Sequence, residues 1–273
     1  MATLTGTTLL PKKDGTTTLK IDYRGLSTEV AVTVKDATKL RPVSFQLDVM
    51  PVLTAAGCNT GSCHGSARGK DGFHLSLYGF DPKGDFDRLT TEMAGRRVNL
   101  AMPEESLMIT KAIGAVPHTG GKLFPKDSAS YNTLLEWISK GAEYDADGIV
   151  QPTGITVEPA EMVLKGSDVR VPLTVRATYS DGTDHDVSTL SGFSTSNDNS
   201  VTIEKHQGVA RSKNRGEAFL LARFHTFTEG SQAIVVPRSA LHAPRTRGEQ
   251  LHRPARPRQT RQAAHHSLRL VLG

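Results

Sequence analysis

The sequence predicts a multidomain chain. A mainly α segment, residues 44–146, lies between a partial β-sandwich, residues 1–37, and a complete all-β region, residues 153–237. Three observations predict it. Apolar residues recur at helical spacing through Phe45, Val49, Val52, Leu53 and Ala56, and again through Tyr131, Leu134, Leu135 and Ile138. Short alternating runs separated by turn residues succeed one another from Ile155 to Val236. Residues 1–37 hold only two such runs, and two strands alone bury no core. A chain of 273 residues has room for two or three domains.

Thr16–Tyr23 alternates like a half-buried strand, Arg24-Gly25-Leu26 reads as a turn, and Val30–Val34 is a second strand. The pattern returns later. Gly15, Leu19, Ile21 and Tyr23 are matched by Gly216, Leu220, Ala222 and Phe224, and Val30–Val34 by Ala233–Val236. The early copy therefore reads as the truncated second half of a repeat. The remaining half, with an export signal, is expected upstream, because residues 1–30 lack a signal peptide's charged start and apolar core.

In the central segment a helix over 45–56, with Pro51 bending or starting it, runs into Cys58. Phe73, Leu75 and Leu77 alternate between Gly72 and Gly79 and predict an extended piece over 71–82. Helices are expected over 85–94 and 104–113. A final helix is capped by Asp127 or Ser128 and closed at Gly141, with Trp137 in the core. In the all-β region strands are expected at 155–157, 169–179, 193–196, 201–203, 209–212, 217–224 and 232–236.

Both cysteines lie in Ala55-Ala56-Gly57-Cys58-Asn59-Thr60-Gly61-Ser62-Cys63-His64-Gly65. A C-x-x-C-H run is the signature of covalent c-type haem attachment. Each thiol adds to one vinyl group, and the adjacent histidine falls beneath the iron. Here four residues separate the cysteines, so from the motif alone a disulfide, part of a zinc site or two unrelated thiols compete with haem.

The flanks extend the motif: D-V-M-P-V-L-T-A-A-G-C-N-T-G-S-C-H-G at 48–65, G-F-H-L-S-L-Y-G-F-D-P at 72–82, G-R-R-V at 95–98, V-P-H-T-G-G at 116–121 and L-L-E-W-I-S-K-G-A at 134–142. Across about a hundred residues this resembles the cytochrome c-like domain of large exported planctomycete proteins, which carries the same long spacing. The resemblance implies a mainly α cytochrome c-like domain and one covalent haem c per chain. Cys58 and Cys63 would attach it, and His64 would be the proximal iron ligand. It implies one-electron transfer to a redox partner protein or a downstream domain, in the periplasm or at the cell surface. For the distal position it points to His118, in the loop before the last helix, with Met102 as runner-up. Two imidazoles predict a low potential. Arg96 and Arg97 read equally as partners for haem propionates or as two adjacent arginines on a solvated face.

The run from V-E-P-A-E through V-P-L-T-V-R-A-T-Y-S-D-G-T-D-H-D-V-S to G-V-A-R resembles the bacterial immunoglobulin-like group-2 domain, which implies an all-β sandwich serving as spacer or adhesion module. Asp181, Asp184 and Asp186 read as a solvated turn. Residues 238–273 carry eight arginines and one glutamate, +7 of a chain total of +5, so residues 1–237 are about −2. The basic character belongs to the tail, which reads as disordered and gives no nucleic-acid interface. Read in another frame, Gln250–Leu268 gives N-Y-I-D-Q-L-V-H-A-K-L-D-K-L-R-I-T-P-S. This resembles the segment C-terminal to the immunoglobulin-like domain in those proteins, so a reading-frame error is expected. No apolar run reaches a membrane span. No catalytic acid/base pair, nucleophile triad or phosphate loop stands out, so the chain reads as a carrier and not an enzyme. The alternative is an adhesion or scaffold protein with Cys58 and Cys63 in a disulfide and no haem; a haem sensor or enzyme with an open distal site also remains.

Overall fold

The computed structural model describes residues 2–5, 8–38, 41–93, 95–204, 208–238 and 269–271. The chain divides into two units, one of residues 1–40 with 237–273 and the other of residues 41–236. The expectation for the basic tail falls almost wholly on residues outside that description.

In the first unit β1 (Ala2–Thr5) pairs with β2 (Thr8–Pro11), and β3 (Gly15–Tyr23) with β4 (Leu26–Lys35), both antiparallel. Arg24 and Gly25 both have positive φ, 48° and 82°, as a two-residue hairpin turn matched to strand twist requires. Val32 and Val34 are buried, while Ile21, Tyr23 and Leu26 are exposed.

Residues 41–146 contain no extended strand among the described residues. Ser44 opens the first helical run, its Oγ accepting from Leu47 N–H. One π-helical turn, Phe45–Val49, passes into α1 (Met50–Ala55), with Pro51 in its first turn where a missing N–H costs nothing. Then come α2 (Pro82–Thr90), α3 (Leu107–Ala112) and α4 (Ala129–Ser139). Ser128 caps α4 by accepting from Tyr131 N–H at 3.3 Å. The helices enclose Phe45, Leu75, Leu89, Ile109, Tyr131, Leu134 and Trp137. Phe45, Phe86, Trp137 and Tyr144 meet with ring centres 5.2–6.4 Å apart, mostly edge to face. Asp145 closes the segment on itself by accepting from Phe45 and Gln46 N–H at 3.1 and 2.8 Å.

This corrects the expected fold class. The chain is mostly strand, 36% against 21% helix, and the central segment is not a mainly α domain. Helices take up less than half of residues 44–146, and the longest has 11 residues. The physical reason is punctuation. Gly57, Gly69, Asp71, Gly72, Tyr78, Gly79, Met93, Gly95, Gly114 and Gly121 all have positive φ, and each turns the chain out of the helical region. The extended piece expected over 71–82 is also absent. A tight turn bridges Lys70 to Phe73, and Leu77–Gly79 forms a 3₁₀ turn.

Residues 152–236 form three small sheets. β5 (Pro152–Glu158), β8 (Thr174–Tyr179) and β9 (Asp184–Asp186) make one, and β7 (Arg170–Pro172), β12 (Val209–Ser212) and β11 (Val201–Glu204) the second. The third has the order β10 (Gly192–Thr195), β13 (Gly216–Phe224), β14 (Phe227–Val236) and β6 (Glu161–Lys165). Ala218, Leu220, Ala222 and Phe224 alternate inward along β13 toward Val175, Phe193, Ala233 and Val235. β6 and β9 escaped the sequence reading, and the single run over 169–179 is two strands broken at Leu173.

Where helices are short, buried polar groups fix the chain. Asp85, wholly buried, accepts from Ser76 N–H at 2.6 Å, Ser76 Oγ at 2.5 Å and Arg88 Nη1 at 2.9 Å. Removing this carboxylate leaves both Ser76 donors without it and takes from half-buried Arg88 the nearer of its two carboxylates. Asp85→Ala is expected to lower unfolding free energy by about 3 kcal/mol, with Asp85→Asn intermediate. Equilibrium urea unfolding measures both.

Candidate functional site

The site begins where α1 ends. Ala56 is the C-cap and Gly57, at φ +78°, turns the chain. Gly57 N–H donates to Thr54 C=O at 3.0 Å and Cys58 N–H to Leu53 C=O at 2.9 Å, the Schellman pair of bonds. Cys58 is thus delivered at a fixed place against the core beneath α1.

The next four residues fold the chain back. Thr60 N–H and Oγ1 both bond Gly57 C=O, Cys63 N–H bonds Thr60 C=O at 3.0 Å, and His64 N–H bonds Cys58 C=O at 3.0 Å. That last bond returns the second cysteine and the histidine beside the first cysteine, so the long spacing is a closed loop. Gly65 N–H bonds Thr60 C=O, and a Cβ on Gly65 would stand 2.0 Å from Asn59 O. Only glycine fits. Asn59 is wholly buried; its Nδ2 donates to Thr54 Oγ1 at 2.9 Å, its C=O accepts from Tyr78 N–H at 3.0 Å, and its Oδ1 has no partner among the described residues.

Cys58 and Cys63 are both unbonded thiols. Burial, with Cys63 nearby, pushes the Cys58 pKa up to about 12, so this thiol stays uncharged.

His64 leaves the loop with its C=O accepting from Leu75 N–H at 2.8 Å. Its Nδ1 lies 3.0 Å from Phe73 C=O and its ring 4.6 Å from the Phe73 ring. A carbonyl only accepts, so Nδ1 carries the proton and Nε2 keeps its lone pair. Burial holds the His64 pKa below the usual histidine value, which keeps the ring neutral. Arg97 secures Phe73 from behind. Its guanidinium lies 4.3 Å over that ring and donates to the carbonyls of Arg88, Glu92 and Gly72. The expected pairing of Arg97 with a propionate is therefore corrected: the cation is buried and already shared among three carbonyls. Arg96 is exposed.

His118 sits on the loop before α4. Its Nδ1 lies 3.1 Å from Gly121 C=O, and Gly121 N–H donates back to His118 C=O at 2.9 Å. A Cβ on Gly120 would stand 2.8 Å from His118 Cε1, so that glycine leaves room for the ring. The rings of His64 and His118 face one another with centres 6.4 Å apart and planes 5° from parallel. At this separation both imidazoles could hold one metal group, through metal–nitrogen bonds of about 2.0 Å. Each ring also has its second nitrogen tied to a carbonyl, the usual partner of a ligating histidine.

Of the sequence-predicted residues, the loop gathers Cys58, Cys63 and His64, and the chain brings His118 to face them. Met102 is half exposed ahead of the Pro103–Glu105 turn, its N–H on Asn99 Oδ1. His74 is half-buried, and Met108 packs against the core. Among the described residues no group of three or more His, Cys, Asp or Glu is gathered to hold a metal ion. Nor is any described helix long and apolar enough to cross a membrane. Asn59, Thr54, Phe73 and Gly120 were not read as site residues from the sequence. The close glycine approaches were the one available signal.

No family model matches the chain, and no curated protein matches it significantly. In the haem-free chain Cys58, its thiol pKa pushed up to about 12, is expected to react with iodoacetamide several-fold more slowly than Cys63 at pH 8. Mass spectrometry of the labelled peptides over time reads the ratio.

Proposed function

We propose that residues 44–146 hold one haem c, attached through Cys58 and Cys63 and gripped by His64 and His118, and serve as a one-electron carrier. The observation that carries this reading is the facing pair of parallel imidazoles at 6.4 Å, one of them directly after the second cysteine. Bound there, the haem supplies iron that alternates between ferric and ferrous states.

The chain's own residues do the rest. Each cysteine Sγ–H adds across one vinyl C=C, forming a thioether with no leaving group. The Schellman turn and the His64–Cys58 backbone bond keep the two sulfurs on one short loop. The raised thiol pKa of Cys58 keeps it uncharged. Phe73 and Gly121 carbonyls fix the Nδ1–H tautomers, leaving both Nε2 atoms as donors and making each imidazole a stronger one. Two imidazoles also favour the ferric state and a low potential. Electrons would pass to a redox partner protein or a neighbouring domain, in the periplasm or at the cell surface, where haem attachment takes place.

Export with haem-maturation machinery is expected to yield red protein whose mass exceeds the bare chain by one haem, with a pyridine haemochrome spectrum of thioether-linked haem. Colourless protein of bare-chain mass, or lighter by two hydrogens, would overturn the reading and favour the disulfide-bonded adhesion protein. His118→Ala is expected to keep the covalent haem but turn the ferrous spectrum from low to high spin, with carbon monoxide binding at least about tenfold faster. A charge-transfer band of methionine–iron ligation in the unaltered protein would move the assignment to Met102.

A further inference from the structure

The central segment and the all-β region belong to one unit, and Leu190 packs against the hydrophobic cores of both. One rung of the all-β region reaches the supports of the cysteine loop. β10 and β13 pair antiparallel with Gly192 opposite Arg223, and each of these two residues touches a different support.

Gly192 lies against Thr54, near the end of α1. A Cβ on Gly192 would stand 3.3 Å from Thr54 Cγ2 and 3.4 Å from Thr54 O, so the β10 backbone packs directly on this residue. Thr54 Oγ1 in turn accepts from Asn59 Nδ2 at 2.9 Å, and Thr54 C=O accepts from Gly57 N–H at 3.0 Å. Arg223 takes a second route. Its guanidinium lies 4.1 Å from the centre of the Tyr78 ring, and Tyr78 N–H donates to Asn59 C=O at 3.0 Å. Tyr78 has φ +55°, a conformation that a tyrosine keeps only where its surroundings hold it. Both routes end on Asn59, the wholly buried residue directly after Cys58.

The outer face of β13 carries the mark of this contact. Glu217 and Phe219 on that face are exposed, whereas Leu221 and Arg223 further along it are half-buried. Arg223 Nε is buried without a hydrogen-bond partner among the described residues. A cation over an aromatic face in such a partly dry contact is drawn to the ring by its quadrupole.

We propose that Arg223 and Gly192 are positioning residues of the Cys58–His64 loop, which makes the all-β region a working part of the site and not a spacer. Arg223 acts through Tyr78, and Gly192 through Thr54. Loosening the rung frees Tyr78, takes the donor from Asn59 C=O and lets the His64–Cys58 closure open. The coupling is a property of the haem-free chain; its bearing on iron rests on the haem reading.

Hydrogen–deuterium exchange on the full haem-free chain, read by mass spectrometry, tests the coupling. Peptides over 57–66 and 75–81 report the loop and its Tyr78 support, and peptides over 130–139 report α4 as a gauge of global opening. Arg223→Ala is expected to speed exchange of the His64 and Tyr78 amides about tenfold relative to α4. Arg223→Lys keeps a cation over the ring and is expected to restore most of the protection, leaving a rise of at most about threefold. In a Tyr78→Ala chain Arg223→Ala is expected to add less than about twofold, because the two residues act in series. Should Arg223→Ala fail to fold, Gly192→Val carries the test: its side chain drives against Thr54 and is expected to speed the same amides about tenfold. Unchanged loop exchange, equal acceleration of loop and α4, or a full further effect in the Tyr78→Ala chain would overturn the proposal. Exchange is read without haem, so its failure and the failure of the haem reading are separate results.

Discussion

The central unit depends on one close approach. His64 N–H reaches back to Cys58 C=O, and the chain can then leave the loop only by passing Gly65 within van der Waals reach of Asn59 O. Any side chain at residue 65 would open that crossing. The two cysteines would then part from one another and His64 from its carbonyl partner. A C-x4-C-H spacing is thus compatible with a compact two-thiol site because the four intervening residues are folded into a turn, and the turn is closed by a glycine that no other residue can replace. Those residues lengthen the chain without lengthening the distance it spans.

That closure is held by groups which are neither helix nor strand. Buried Asn59 ties the loop to α1 through Thr54 and to the Leu77–Gly79 turn through Tyr78. Asp85 ties the same turn region to α2, and Asp145 ties the end of the segment to its beginning. Helices of six to eleven residues are marginal by themselves in water, so these polar ties and the shared aromatic cluster take over the work that longer helices do elsewhere. Cooperativity is the consequence: a loop pinned at several points by buried donors and acceptors has few partly open states, since each costs about 1–3 kcal/mol per orphaned group.

The sequence made legible whatever is local and periodic. The cap at Ser128, the α4 face and the β13 alternation arise from spacing rules that act within a few residues. Cys58, Cys63 and His64 were visible because they adjoin one another. Spacing cannot reveal which group a polar side chain meets at long range. Arg97 looked available for an anion; the carbonyls of Gly72, Arg88 and Glu92 use it instead. The apolar alternation over 73–77 looked like a strand, but Gly72 and Gly79 at positive φ fold it into consecutive turns. β6 was missed because Glu161–Lys165 is only five residues, and its partner β14 lies some seventy residues away.

The two hairpins separate pairing from burial. The turn lengths and cross-strand registers of β3–β4 and β13–β14 are the same although their surroundings and turn dihedrals differ, so one register serves both environments. Burial then depends on what arrives. Phe224 is 1% exposed because neighbouring strands close over it, and Tyr23, in the same place on the same hairpin, is 64% exposed for want of them among the described residues. An amphipathic hairpin of this kind is complete as a local structure and incomplete as a fold. The same argument explains the central loop, where turn chemistry fixes the cysteines and the histidine and leaves the facing imidazole to be supplied from more than fifty residues away. In the central loop local geometry builds a half, and a remote segment provides its complement.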